Sequence, residues 1–399
     1  MSAVLKPMLR GELTTLRNQI PIKQWLSPAH YELEREKIFR RSWLPVGHTA
    51  DLPRPGGYVV LDMPVFNTSL LVIRGNDGQV RSFHNICRHR GNKIVREGSG
   101  CKPAFMCGFH GWTYTPEGKL DVVTDEHQFR DLDKAKLGLI PITTAVWEGF
   151  IFVNFDDRPR QTLAEWLGEL HGQYSGYFDT QERITSHRVV LNCNWNLGVN
   201  SFTEGYHTLF LHRNTVPDYQ GGKTNPLRHR PSIELLERHY RHSAPANPDH
   251  KASPAEEIAF RCGHKMLPAS VAAGGIPLPE GVNPSKYDKW LFDVVELFPN
   301  FVMLLGHYWH IDIWFWPLGH DKTVITQDFY AYKAKTLGER VSQEFFRTRG
   351  REVFREDLNT LEAQQEMLSS GAMDEVFLSQ QEIGLQHHYR VAANMLAQP

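Results

Sequence analysis

Alternating apolar and polar residues from Pro55 to about Phe155, a second group of apolar strands between Asn300 and Tyr332, and helical periodicity running from Leu337 to Ser370 together mark this 399-residue chain as α+β. Length and pattern divide it into a helical segment over residues 1–40, an all-β domain over 41–157 and a larger α+β domain over 158–399, since a single core rarely grows to this size.

The first helix is signalled by "SPAHYELEREKIFRRSW", in which Ser27 is the cap, Pro28 takes the first helical position and apolar residues follow at helical spacing. Next come "GGYVVLDM", "TSLLVIRG" and "QVRSFHNI", with Asn76-Asp77-Gly78 as the turn between two of them, and the all-β stretch closes on "WEGFIFVNF". Beyond it "HRVVLNCNW" reads as a strand leading into a helix that carries "NSFTEGYHTLFLH". A loop-rich stretch rich in Pro, His and Arg occupies about 213–285, and three strands, "NFVMLLGHYW", "HIDIWFWP" and "TVITQDFYAY", precede the long helix.

Composition narrows the function. Lys plus Arg (44) nearly balances Asp plus Glu (45), so no global field favours nucleic acid or an anionic membrane. No stretch reaches the roughly 18 apolar residues of a membrane span, and the N-terminus lacks an apolar signal core, so a cytoplasmic protein is expected. The five cysteines (Cys87, Cys101, Cys107, Cys193, Cys262) are too few and too unevenly placed for a disulfide framework, leaving metal ligation or core packing.

Cys87-x-His89 and Cys107-x2-His110 bracket residues 90–106. Two thiolates and two imidazoles can hold structural zinc or a Rieske [2Fe–2S] centre. Zinc fingers usually pair Cys with Cys and His with His. Here each loop supplies one of each, as a cluster with one all-Cys iron and one all-His iron requires. Gly91, Gly108 and Gly111 permit tight loops whose N–H groups can point at sulfur. "CRHRG" with "CGFHGWTY" resembles the cluster motif of Rieske non-haem iron oxygenase large (alpha) subunits, the aromatic-ring-hydroxylating dioxygenase type. Respiratory Rieske proteins carry a disulfide cysteine shortly after the first His. Asn92 stands there, which leaves Cys101 as a structural thiol in the variable loop.

A cluster alone moves electrons and makes no product. "NWNLGVNSFTEGYHTLFLH" supplies Glu204-x2-His207-x4-His212, and two His with a later carboxylate form the facial triad of mononuclear Fe(II) oxygenases. Residues five apart on a regular helix point about 140° apart, so the two imidazoles need a π-bulge or a helix that ends just before His212. Most of the chain's 20 histidines must be packing or surface groups; the conjunction with the cluster motif singles out this pair.

The resemblance extends over nearly the whole chain. It implies an all-β Rieske domain, a catalytic domain with an antiparallel sheet flanked by helices (helix-grip, START-like), a [2Fe–2S] cluster on Cys87, His89, Cys107 and His110, and mononuclear Fe(II) on His207, His212 and Asp357. Asp357 lies in "FREDLNTLEAQQEML", with Glu356 and Glu362 as neighbouring alternatives. Glu204 stands where many members have an Asp bridging the two metal sites, "NWN" replaces the family's "NWK", and Asn200 is a candidate to approach the iron. By the same resemblance His110 of an adjacent chain, Glu204 and His207 form an electron relay, which implies a homotrimer, with or without a small β subunit.

No dinucleotide fingerprint is present, so NAD(P)H oxidation falls to a separate reductase, with or without a ferredoxin. The expected reaction is hydroxylation or dihydroxylation of a small aromatic substrate with O2. An oxidative O- or N-demethylase is the alternative within the family, and a Rieske electron carrier without catalysis is the alternative outside it. The aromatic strand "GHYWHIDIWFWP" suits an apolar pocket or plain core. "LRHRPSIELLERHYRHS" could face an anionic substrate or a redox partner, or be a solvated loop.

Overall fold

The computed structural model describes residues 8–23, 25–96, 98–262 and 277–399, with Cys262 described by its backbone alone. The chain forms two compact units, one of residues 35–166 and one of residues 1–34 with 167–399. The fold is α+β.

The smaller unit is built on a seven-stranded sheet in the spatial order 44–48, 150–154, 141–147, 80–84, 68–74, 57–63, 99–101. One of its hairpins joins Thr68–Arg74 to Val80–His84 through the expected Asn76-Asp77-Gly78 turn, where Gly78 takes φ +78°. A three-stranded sheet (120–122, 113–114, 105–106) carries the second Cys–His loop. Tyr58, Phe83, Phe105, Trp112 and Tyr114 fill the core beside both loops. Cys101 ends the Ser99–Cys101 edge strand, exposed, with its thiol donating to the Pro55 carbonyl at 3.3 Å.

An eight-stranded sheet organises the larger unit, in the order 8–10, 232–235, 240–245, 290–297, 301–305, 309–319, 322–332, 181–191. Every neighbouring pair is antiparallel except Met8–Arg10 with Ser232–Leu235. Six α-helices are described: α1 (Pro28–Glu34), α2 (Leu163–Leu167), α3 (Trp195–Thr203), α4 (Pro254–Cys262), α5 (Leu337–Ser369) and α6 (Ile383–Ala397). α5 starts on a capping box, in which Thr336 accepts from the Glu339 N–H while the Glu339 carboxylate accepts from the Thr336 N–H. α5 packs Phe346 against Trp309 and Phe329 of the sheet.

Three expectations need correction or addition. The helical segment over residues 1–40 is helical only from Pro28, through α1 and a π-helical turn at Arg35–Phe39. Before it, Met8–Arg10 and Gln19–Pro21 are three-residue strands, too short for any periodicity to show, and residues 1–7 and 24 lie outside the described residues. The stretch 213–285 is loop-rich, as expected, but it also contains two strands of the large sheet and α4, which the sequence reading overlooked. Its Arg- and His-rich part is not a solvated loop. Arg228, Arg230, His239, Arg241 and His242 are all buried, because the two strands lie inside the sheet and polar partners meet there; Arg241 pairs with Glu234.

Among the described residues no helix is long and apolar enough to cross a membrane.

Candidate metal centres

The two Cys–His loops share one backbone frame. The Cys87 N–H donates to the Asn92 carbonyl (2.8 Å) and the Gly91 N–H to the Cys87 carbonyl (2.9 Å); Cys107 with Trp112 (2.8 Å) and Gly111 with Cys107 (3.0 Å) repeat the pattern. Closing each turn puts Gly91 at φ +75° and Gly111 at φ +74°, which an L side chain resists. Gly108 has neither a positive φ nor a crowded Cβ position, so only two of the three predicted glycines are conformationally required.

Both cysteines are buried, and the Nδ1 atoms of His89 and His110 face each other at 3.1 Å. Burial opposes a Cys107 thiolate, yet N–H donors from Phe109 and His110 and the Asn92 amide outweigh it and lower the thiol's pKa. Burial raises that of Cys87, which receives the Tyr114 hydroxyl at 3.4 Å; that hydroxyl in turn accepts the Arg88 N–H at 2.9 Å. His89 stacks on Trp112, 4.9 Å between ring centroids. Two thiols and two imidazole Nδ1 atoms converging in this way fit a Rieske cluster.

In the larger unit α3 is capped by Asn194 and anchored by Glu34, which accepts from Trp195 Nε1 (3.0 Å) and Asn196 Nδ2 (3.2 Å). Asn196 Oδ1 also lies 3.0 Å from His388 Nε2, so the Asn of "NWN" serves a buried polar network. α3 stops at Thr203: Glu204 is extended, and a Cβ on Gly205 would overlap the Arg230 guanidinium. The chain resumes as a 3-10 turn at His207–Leu209, and both Phe210 and Leu211 N–H groups reach the His207 carbonyl. What lets both histidines meet is that the segment carrying them is not a regular α-helix: α3 has already ended at Thr203, and the single 3-10 turn stops at Leu209, so that, as expected, helical structure ends ahead of His212 and no π-bulge is used.

His207 Nε2, His212 Nε2 and Asp357 Oδ1 form a triangle with edges of 3.2, 3.4 and 3.3 Å. Donors on one ion at bonds near 2 Å stand about 3 Å apart, so the set fits a single small metal ion. Asp357 is 3% exposed and its Oδ1 has no hydrogen-bond partner, as expected of an atom whose proper partner is a cation.

Each imidazole is oriented from behind by a carboxylate: Glu204 on His207 Nδ1, and Glu356 on His212 Nδ1 at 2.8 Å. Glu362 instead accepts from the Asn192 N–H (2.8 Å), which sorts the three acidic candidates of α5. Burial opposes protonation of His212, but Asp357 and Glu356 outweigh it and raise its pKa. Asn200 directs its amide to the Tyr389 hydroxyl and is not among the residues that line the cavity beside the triad.

That cavity, about 170 Å³, is walled by Leu304, Trp309, Ile311 and Ile313 from the sheet and by Phe346 and Val353 from α5. The aromatic strand thus does both jobs considered for it, with alternate residues facing the cavity. Reading by sequence alone missed Glu356 as an orienting group and missed the wall formed by Gln220, Arg230 and His242. Adjacent acids on a helix diverge by about 100°, so the "ED" pair could have suggested two different targets.

These two centres define a two-iron-site architecture, and sequence families agree. Residues 42–136 match the Rieske [2Fe-2S] domain and residues 178–398 the catalytic domain of the ring hydroxylating alpha subunit; the chain belongs to this family. It carries a Rieske [2Fe–2S] domain and a catalytic domain with a mononuclear iron site. It is similar to the alpha subunit of chlorobenzene dioxygenase from Cupriavidus sp. (strain PS12), 36% identical over 44% of this chain and 40% of the relative. It is also similar to the glycine betaine monooxygenase oxygenase subunit of Chromohalobacter salexigens, 30% identical over 48% and 42%. The matched stretches thus span well under half the length of these relatives. Its fold is like that of the quaternary ammonium Rieske monooxygenase CntA (TM-score 0.76, 21% identity, 94% of this chain and 95% of that one). It is likewise similar to naphthalene 1,2-dioxygenase from Rhodococcus sp. (TM-score 0.74, 20% identity, 95% of each).

Proposed function

We propose that this chain is a terminal oxygenase component that uses O2 and electrons drawn from NAD(P)H by a separate reductase, with or without a ferredoxin, to hydroxylate or dihydroxylate a small, aromatic organic molecule. The observation that carries the reading is the His207–His212–Asp357 triangle opening on an apolar cavity in a chain that also holds a Cys2His2 cluster set. An electron carrier has no use for the triangle or the cavity.

When bound, the cluster and Fe(II) would each supply one of the two electrons that O2 activation needs. In this reading Cys87, His89, Cys107 and His110 hold the cluster and His207, His212 and Asp357 the iron. Glu204 and Glu356 fix the ring orientations, and Leu304, Ile311 and Ile313 keep water from the reacting carbon.

Glu204 is also the bridge to a cluster histidine, His110, of a neighbouring chain in a cytoplasmic homotrimer, with or without a small β subunit. Support comes from apolar side chains left exposed beside both centres: Met106 and Phe109 next to His110, Tyr206 and Phe210 next to His207. The likeness to a glycine betaine monooxygenase subunit supports a second reading, oxidative N- or O-demethylation at the same site.

Metal analysis of anaerobically purified protein tests the proposal. About three irons and about two sulfides per chain are expected, with His207→Ala losing one iron and no sulfide. Two irons in both proteins after Fe(II) addition would leave an electron carrier. Products made with labelled O2 then separate the reactions: a diol carrying two labels, or one inserted oxygen with formaldehyde released.

A further inference from the structure

The cavity beside the triad has a charged wall that the reaction chemistry does not use. Two arginines line it. Arg349 is already partnered: its Nη1 lies 2.8 Å from Glu256, and its guanidinium stacks over Tyr219 and Phe345.

Arg230 is different. It is 4% exposed, it makes no ion pair among the described residues, and its one side-chain hydrogen bond there is from Nη1 to the Gln220 amide oxygen at 3.1 Å. Glu204 is the carboxylate that acts on it electrostatically, but both Glu204 oxygens are already engaged, by the His207 ring and by the Tyr206 and His207 N–H groups. His242 joins the same wall, fully buried, with Nδ1 lacking any hydrogen-bond partner. Burial, helped by the Arg230 charge, holds His242 well below the usual histidine range, so its ring is neutral.

A guanidinium stays charged in proteins, and an unpaired one is costly to bury. A donor-rich wall with an unpartnered imidazole nitrogen, opening on a cavity that also reaches the triad, is built for an anion entering from the cavity side. A cavity of about 170 Å³ is also of single-ring size, since one of about 150 Å³ accepts benzene.

We propose that Arg230, with Gln220 and His242, is an anion subsite, and that the substrate is a small organic acid, of about one ring in size, whose carboxylate docks there. The inference rests on reading the cavity as the substrate site, and it narrows that reading: the acid's charge is held by Arg230 while its apolar body occupies the cavity that also reaches the triad. It separates this site from ones that take uncharged arenes or a bare quaternary ammonium. Arginine suits the role because its fork meets a carboxylate through two parallel hydrogen bonds.

The test is calorimetric titration of the iron-loaded protein with benzoate and with its uncharged isostere benzamide, in the wild type, Arg230→Gln and Arg230→Lys, each checked by circular dichroism and iron content. Benzoate is expected to bind at least about tenfold more tightly than benzamide, with the preference abolished in Arg230→Gln and partly kept in Arg230→Lys. Equal binding of the two probes, no benzoate binding up to about 10 mM, or a preference that survives in Arg230→Gln would each overturn the proposal. Should Arg230→Gln fail to fold, the wild-type comparison and Arg230→Lys decide it. Iron and sulfide content of the same preparations separates the two readings. Preferential benzoate binding to protein that holds about two irons with or without His207→Ala keeps the subsite and refutes the oxygenase reading, whereas about three irons falling to two in His207→Ala without any benzoate preference does the reverse.

Discussion

Replacing Glu356 isolates the contribution of a group that touches only the back of a ligand. Its Oε2 accepts the His212 Nδ1 proton at 2.8 Å, which fixes the tautomer and leaves Nε2 free to face Asp357 Oδ1. The carboxylate is about one-quarter exposed, so water screens part of the interaction. Second partners of this kind contribute about 10- to 100-fold in metal affinity, or roughly 1.4 to 2.8 kcal/mol. Glu356→Gln keeps an acceptor and loses the charge, so it should sit near the tenfold end; Glu356→Ala leaves the imidazole free to rotate and should approach the other. Fe(II) titration of protein stripped of its mononuclear metal, with sulfide as an internal count of intact clusters, measures both. Glu362→Gln, which alters a carboxylate bonded to Asn192 on the same helix, is the control and should leave affinity unchanged. Unchanged affinity in Glu356→Ala, or equal losses in Glu356 and Glu362 variants, would refute the assignment.

Gly111→Ala should cost about 1–2 kcal/mol from its left-handed φ, and its Cβ would also lie 2.8 Å from Thr124 Oγ1; lowered sulfide content with His207-site iron retained is the expected signature. Tyr114→Phe removes a donor to Cys87 Sγ, which favours the more negative reduced cluster. The potential should fall by about 40 mV, equivalent to roughly 1 kcal/mol, in a spectroelectrochemical titration. His387 is fully buried, donating through Nε2 to the His239 carbonyl and accepting from Arg390 through Nδ1; burial first and the Arg390 charge second lower its pKa to about 3. Unfolded chains take up this proton near pH 6.5 and the folded chain does not, so acidification between pH 6.5 and about 3 destabilises the fold. The slope is up to about 1.4 kcal/mol per pH unit, and His387→Gln should flatten urea midpoints across that window.

Much of both centres was legible before any coordinates, because metal ligands are few, chemically distinct and held at short spacings. The 140° argument required a break between His207 and His212, and the 3-10 turn that ends at Leu209 supplies it; the earlier end of α3 at Thr203 was not legible, and beyond it Gly205 lies against the Arg230 guanidinium, a contact between residues 25 positions apart that no local pattern encodes. The same distance effect hid the strands at 232–235 and 240–245. Their charged residues imitate a solvated loop, and only pairing such as Glu234 with Arg241 makes them interior. The three-residue strands at Met8–Arg10 and Gln19–Pro21 left no pattern at all, since they exist only by virtue of partners at Ser232–Glu234 and Glu375–Phe377.

The repeated frame of the two Cys–His loops has a practical consequence. With the same turn closed by the same pair of backbone hydrogen bonds, one loop serves as an internal control for the other, and inequivalence between them comes from the place of the histidine, second after Cys87 but third after Cys107, and from what lies outside the frame. The differences outside the frame are few and local: Tyr114 on one sulfur, Asn92 on the other, and Trp112 stacked on a single imidazole. Exchanging surroundings between loops one residue at a time would apportion the cluster's asymmetry to individual neighbours, with the backbone held constant by the protein's own duplication.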